Sequence, residues 1–168
     1  TDRTFTVQYL DAYQNVSDSS TITVQVDTVK PTTLTGITLT PTGGTVVDNT
    51  VNTTTTRLNL SATIDGAQAA GGKAEFYVGG HLVGTDTDIG SSDTTVTYST
   101  GTSDASSLQT AVTQGGAVEV RLYDRHGNHL DITGPTLTYD LVKPRITSIS
   151  TTQTDGSYKA GVDIPLRL

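Results

Sequence analysis

Aspartate and asparagine in the predicted turns are the residues of this chain best suited to chemistry. Of its 17 acidic residues only Glu75 and Glu119 are glutamate, so the acidity is almost entirely aspartate. Aspartate is typical of turns, and its carboxylate is a principal ligand of Ca²⁺, which takes roughly six to eight oxygen ligands. The sequence therefore predicts a calcium site, whose candidate ligands are Asp27, Asp65, Asp124 and Asn128, with Asp86 and Asp88 as additional candidates and Asp140 in the equivalent position at a second linker.

These residues also have a purely structural explanation. Asp and Asn side chains form hydrogen bonds with nearby backbone and tolerate left-handed conformations, which suffices for most acids in turns. That explanation is preferred for Asp65, Asp86 and Asp88. For Asp27, Asp124 and Asn128 both interpretations stay open.

The sequence gives weaker support to other kinds of chemistry. His126 and His129 share one loop and suggest a transition-metal pair, although exposed polar histidines are the preferred interpretation. The chain has no Cys, and its Ser and Asp are so abundant that no Ser-His-Asp arrangement can be singled out. The net charge of -7 counts against a nucleic-acid partner, since such surfaces are basic. We therefore expect a protein that is not an enzyme.

An internal repeat divides the chain. Residues 1–31 match residues 114–144 without a gap, and nine positions are identical, among them Asp11 with Asp124, Asn15 with Asn128 and Asp27 with Asp140. Repeats of this kind indicate an array of similar domains. We predict one complete domain over residues 32–143, the end of a preceding domain plus linker over 1–31, and the start of a following domain over 144–168.

Alternating apolar residues and a threonine content of roughly a fifth indicate an all-β fold. Seven strands are predicted in the central domain, at residues 34–40, 57–64, 73–78, 81–85, 94–99, 117–123 and 135–140. Gly79 and Gly80 suit a two-residue hairpin turn, residues 65–72 a loop of small residues, and residues 104–112 a short connecting helix. Seven strands of this kind predict a two-sheet, immunoglobulin-like β-sandwich.

Strand direction predicts where the acidic loops lie. Because successive strands alternate in direction, the loops at residues 65–72, 86–93 and 124–128 all fall at the end of the domain that receives the linker. The linker acid Asp27 enters at the same end. The expected calcium ligands therefore come from different parts of the chain and meet at one interdomain junction.

The end of the repeat resembles the end of a bacterial immunoglobulin-like repeat, in which an Asp-x-x-Gly-Asn turn precedes a last strand and an Asp-Thr-x-x-Pro linker. Residues 124–128 match the turn, whereas Gln14 replaces its glycine in the first copy, and residues 27–31 match the linker. Residues 155–161, Asp-Gly-Ser-Tyr-Lys-Ala-Gly, resemble the opening of many adhesin repeats.

This resemblance implies a function. Such repeats stand in tandem along very large surface adhesins of the biofilm-associated and RTX types, where interdomain calcium is frequent. It implies an extender segment of a secreted or surface-bound bacterial protein, with neighbouring repeats as partners and a distal module that binds a host or biofilm glycan or protein. No stretch of the sequence is apolar enough to insert into a membrane.

The alternative is that the domain itself binds a carbohydrate or a protein. Tyr77, Tyr98 and Tyr123 could stack on a sugar ring, although they are also suited to the core or to a sheet face. An accessory sandwich of a surface hydrolase is a third class that the sequence leaves open.

Overall fold

The computed structural model describes residues 2–100 and 115–167, and they form an almost entirely β structure, as predicted. The strands are β1 (Arg3–Val7), β2 (Ser20–Val24), β3 (Leu34–Thr42), β4 (Thr50–Asn52), β5 (Arg57–Ile64), β6 (Lys73–Val78), β7 (His81–Asp86), β8 (Thr95–Ser99), β9 (Gly116–Tyr123), β10 (His129–Asp140), β11 (Ser150–Thr151) and β12 (Leu166–Arg167). One short helix, α1 (Gly66–Ala69), follows β5. The helix expected at residues 104–112 lies outside the described residues.

The described residues of the predicted central domain form two sheets. One has five strands in the order β4-β10-β9-β6-β7, and the other has three in the order β3-β5-β8. These are eight strands where seven were expected, because the sequence prediction missed β4. This three-residue strand pairs in parallel with the end of β10, and Val51 at its centre is fully buried. Because Val51 is the one apolar residue in β4, the strand is too short to show an alternation of apolar and polar residues.

Apolar side chains of both sheets form a single buried cluster. Every other residue of β5, β6 and β9 is buried, as the alternation predicts, and the described cluster extends from Leu34 to Leu137. Phe76 is fully buried at its centre and stacks on Tyr98, with the ring centroids 6.1 Å apart. The core is thus drawn entirely from the predicted central domain.

The hairpin between β6 and β7 confirms the expected Gly-Gly turn. Gly79 and Gly80 have φ angles of 57° and 82°, so both residues adopt the left-handed conformation that glycine favours. The last strand is longer than expected, because β10 begins at His129 rather than near Pro135. A bulge between Thr133 and Thr136 accommodates the proline, which cannot donate a ladder hydrogen bond.

The flanking segments contribute nothing to this core. The hairpin of β1 and β2 pairs Arg3 with Val24 through Val7 with Ser20, and every residue of these two strands is exposed. The short pair of β11 and β12 is exposed as well. Apolar side chains such as Phe5 and Ile22 therefore lie open to solvent. No helix in residues 2–100 and 115–167 has the length and apolarity that crossing a membrane requires.

Asp86 lies where β7 of the five-stranded sheet meets β8 of the three-stranded sheet. Its Oδ2 accepts a hydrogen bond of 2.9 Å from the Thr97 backbone N–H on edge strand β8, and its Oδ1 accepts one from Asp88 N. An edge strand with free backbone groups invites pairing with other chains. This carboxylate, a candidate calcium ligand from the sequence, thus links the two sheets and covers an edge amide.

Replacing Asp86 with alanine should lower the free energy of unfolding by about 1–2 kcal/mol, because two charge-assisted hydrogen bonds are lost and an edge amide is freed. Urea unfolding followed by circular dichroism measures the loss. Asp88→Ala is the matched control, since Asp88 contributes only its backbone to this contact. Equal effects of the two substitutions would contradict the role assigned to the Asp86 carboxylate.

Candidate functional site at the linker junction

The loop between β9 and β10, residues 124–128, is organised by the Asp124 carboxylate. Its Oδ1 accepts hydrogen bonds from His126 N at 2.8 Å and Asn128 N at 2.9 Å, and its Oδ2 accepts one from Asn128 Nδ2 at 2.8 Å. The loop is closed by a bond from Asp124 N to the Asn128 carbonyl. Asp124 is only 8 % exposed. Burial raises the pKa of Asp124, but the hydrogen bonds from Asn128 and His126 outweigh it and hold this pKa below its usual value.

The linker lies against this loop. His126 Nδ1 and Asp27 Oδ2 are 2.9 Å apart, and Asn128 Nδ2 donates a longer bond of 3.3 Å to the Asp27 carbonyl. The second oxygen of Asp27 accepts a hydrogen bond from Val29 N, which sets the turn of the linker. Asp27, Asp124 and Asn128 therefore meet, as the strand directions predicted.

The other flank of the linker is held by Gln68 in α1. Its Oε1 accepts hydrogen bonds from Thr32 N at 2.7 Å, from Thr32 Oγ1 and from Thr33 N. The Nε2 of the same side chain donates to Asp65 Oδ2, while Asp65 Oδ1 caps α1 by accepting from Ala67 N. We call this assembly the linker junction: linker residues 27–33, α1 with its cap Asp65, and residues 124–128.

The predicted ligands divide into those at the cluster and those elsewhere. Among the residues that the structure describes, Asp27, Asp124 and His126 form a group of three whose ligand atoms all lie within 4.8 Å of one another. Asp65 lies outside that group and orients Gln68. Asp86 covers the β8 edge, and Asp140 accepts a hydrogen bond from Val142 N in the second linker.

His126 and Gln68 are the junction residues that sequence reasoning did not assign to the linker. The sequence favours an exposed polar role for His126 and leaves a metal pair with His129 as the alternative, whereas the His129 ring lies against Tyr123 with the ring centroids 5.0 Å apart. Gln68 lies in a stretch expected to be a loop, and no local pattern marks a glutamine that bonds to residues 32 and 33. The repeat places Asp140 in the position equivalent to Asp27, and this is the sequence feature that could have indicated a fixed partner for the linker.

The first copy of the turn repeats the same hydrogen bonds. Asp11 accepts from Tyr13 N, Asn15 N and Asn15 Nδ2, just as Asp124 accepts from residues 126 and 128. The Asn15 bonds hold the pKa of Asp11 below its usual value. Gln14 has a φ of 70°, close to the 90° of Gly127, so the non-glycine residue adopts the left-handed conformation that the turn requires.

The three tyrosines proposed for sugar stacking have different surroundings. Tyr98 packs against the core. Tyr77 and Tyr123 lie on the outer face of the five-stranded sheet, where Arg121 covers the Tyr77 ring at 4.4 Å and Lys73 covers the Tyr123 ring at 4.9 Å. These cations also bond to Glu119 and Glu75, and the Glu75 bond to Lys73 lowers the pKa of Glu75.

The donor set at the junction suits more than one cation. The carboxylate oxygens of Asp27 and Asp124 are ligands that Ca²⁺ prefers, whereas the His126 nitrogen is typical of transition-metal sites. Asn128 turns its Nδ2 donor, not its amide oxygen, toward Asp27 and Asp124. Comparison of the chain with protein-family models, curated proteins and solved structures found no match.

Proposed function

We propose that this chain is an extender segment of a bacterial cell-surface adhesin, in which immunoglobulin-like sandwich domains in series carry a distal binding module away from the cell. The observation that supports this most is the hydrogen bonding of Asp27 to the loop of the next domain. A spacer must transmit orientation from one domain to the next, and a linker bonded to its following domain does so. Each domain then adds length, and stability is approximately a sum over domains and their interfaces.

The linker has anchors at both of its ends. Asp27 is held by residues 126 and 128, Thr32 and Thr33 are held by Gln68, and Pro31 between them is buried. Proline fixes φ and restricts the residue before it. Few backbone angles of the linker are therefore free to bend. The repeated pair of Asp140 and Val142, bonded like Asp27 and Val29, supports the same arrangement at the next junction.

Calcium at the junction is part of this proposal. Asp27 and Asp124 would supply carboxylate oxygens, and Asp140 would play the part of Asp27 at the next junction. Asn128 would supply its amide oxygen by turning its amide group, whose Nδ2 now bonds to Asp27 and Asp124. An ion would take the place of the hydrogen bond between His126 and Asp27. Binding would couple the straightness of the array to extracellular calcium, because a ligand that prefers the ordered junction stabilises it.

Distances between spin labels test the junction. The chain has no cysteine, so Thr21→Cys on β2 and Thr95→Cys on β8 provide two unique attachment points. We expect a narrow distance distribution that broadens in the double variant Gln68→Ala/His126→Ala, because both anchors of the linker are lost. His129→Ala is the matched control, since that histidine contacts Tyr123 and Asp131 instead.

Two outcomes would overturn the proposal in different ways. A broad distribution in the unmodified chain, in calcium and in chelator alike, would contradict the spacer function. A narrow distribution with the same width in calcium and in chelator would be consistent with the spacer function, but it would contradict the proposed role of calcium. Calorimetric titration with Ca²⁺ then provides the independent measurement of binding.

A further inference from the structure

A cleft of about 530 Å³ lies between the linker and the domain at the linker junction. Linker residues form one wall, α1 a second, and the loop of residues 124–128 a third. Its polar lining includes Asp27, Lys30, Thr32, Gln68, Arg125 and His126. This volume falls within the range of about 300–1,000 Å³ that is usual for small-molecule sites, which often lie between domains.

Two cations in the lining have no partner. The side chains of Lys30 and Arg125 form no hydrogen bond or ion pair with the part of the chain that the structure describes. Lys73 and Arg121 differ, because each is paired with a glutamate 2.6 Å away. In a chain with a net charge of -7, two cations that line one cleft and have no partner among the described residues mark a place for an anionic group.

The acids of the cleft form no ion pair with these cations in the part of the chain that the structure describes. Asp124 receives three hydrogen bonds within its own loop, and Asp27 is bonded to His126 and to Val29 N. The carboxylate oxygens are therefore engaged by other groups. Lys30 and Arg125 remain available, and a guanidinium group binds a carboxylate through two parallel hydrogen bonds.

The rest of the lining suits a ligand that carries hydroxyl groups. Thr32 and Gln68 present polar groups, whereas Val29, Ala67 and Ala70 present small apolar surface to C–H groups. A carboxylate, several hydroxyls and a C–H face occur together in an acidic sugar. We propose that this cleft binds a uronate unit of an acidic polysaccharide, with its carboxylate between Lys30 and Arg125.

Two other surfaces fit such a ligand less well. The Tyr77 and Tyr123 rings are covered by cations, which occupy the face that a sugar would use. The groove of about 430 Å³ over β3, β5 and β8 has hydroxyl and amide side chains that bond to one another, as in Thr38 with Ser61 and Ser99 with Asn59. That groove is lined by no charged residue, so it has nothing to hold a carboxylate.

Titration of the ¹⁵N-labelled full chain with trigalacturonate in the presence of EDTA tests the proposal. We expect saturable shifts of the amides of Lys30, Gln68 and Arg125, with a Kd on the order of 1 mM or tighter. Maltotriose is the neutral control and inorganic phosphate the control for a bare anion. Shifts that do not saturate, or equal affinity for maltotriose or for phosphate, would overturn the assignment of an acidic sugar.

Substitutions of the two cations test whether the ligand binds in this cleft. Lys30→Gln and Arg125→Gln should each weaken trigalacturonate binding about tenfold, because each removes a charge-assisted contact. Lys143→Gln is the matched control: it has the same Val-Lys-Pro context in the second linker and does not line the cleft. Equal weakening by Lys143→Gln would mean nonspecific charge attraction and would overturn the site. Because EDTA removes calcium, the result is independent of the calcium proposal and of the label distances.

Discussion

Replacing Asp124 with alanine is expected to lower the free energy of unfolding by about 2–4 kcal/mol. The substitution leaves three donors without their acceptor, namely His126 N, Asn128 N and Asn128 Nδ2. Bonds to a charged acceptor are stronger than neutral ones, and the three donors that face the buried Asp124 carboxylate lose that acceptor together. Chemical unfolding followed by circular dichroism measures the loss. The label distances at the linker junction should broaden as well, because the loop that holds Asp27 is no longer fixed.

Asp11→Ala is the matched control, since Asp11 accepts the same set of hydrogen bonds in the exposed first copy of the turn. We expect it to loosen its own hairpin and to leave unfolding of the central domain unchanged. Equal losses from the two substitutions would contradict the particular role of Asp124.

Asp124 should also make the free energy of unfolding depend on pH in the acid range. The pKa of Asp124 in the folded protein lies below its ordinary value of 3.8, so the unfolded chain binds the proton more readily. The stability that Asp124 contributes is therefore fully present well above pH 4, and it is lost as the pH falls through the folded pKa. Asp124→Asn should reduce the loss of stability that occurs as the pH falls below about 4. An unchanged acid profile in this variant would count against Asp124 as the titrating group.

Replacing Phe76 with alanine should lower the free energy of unfolding by about 3–5 kcal/mol. Phe76 is fully buried where the two sheets meet, and its ring stacks on Tyr98. Truncation removes apolar area from the core and leaves a cavity that the strands of two sheets cannot readily fill. The midpoint of thermal unfolding should fall by more than about 10 °C.

The only other phenylalanine provides the control. Phe5 in β1 is 57 % exposed, so Phe5→Ala should change the thermal midpoint of the central domain little. A comparable shift from Phe5→Ala would mean that the flanking hairpin packs on the domain, contrary to its exposure. A loss of less than about 1 kcal/mol for Phe76→Ala would contradict the central position of this ring.

Local patterns of the sequence predicted much of the fold. The bounds of β5 and β6 were predicted to the residue. Apolar side chains alternate along each of these strands, and it is the apolar face that is buried. The Gly79-Gly80 turn followed from the φ angles that glycine alone adopts readily. Strand β4 escaped prediction because it depends on pairing with residues 138–140 at the far end of the domain.

The turn at Asp124 and its relation to Asp11 could be predicted from residue types, since their hydrogen bonds join residues at most four positions apart. Strand direction also predicted that Asp27, Asp124 and Asn128 lie at one end of the domain. The side chains that hold the linker could not be predicted, because they depend on how the sheets and loops pack. His126 and Asp27 are separated by 99 positions and Gln68 and Thr32 by 36, so their contacts exist only after both sheets and α1 are in place. Turn chemistry is local and can be read from residue types, whereas the linker junction depends on how distant loops pack.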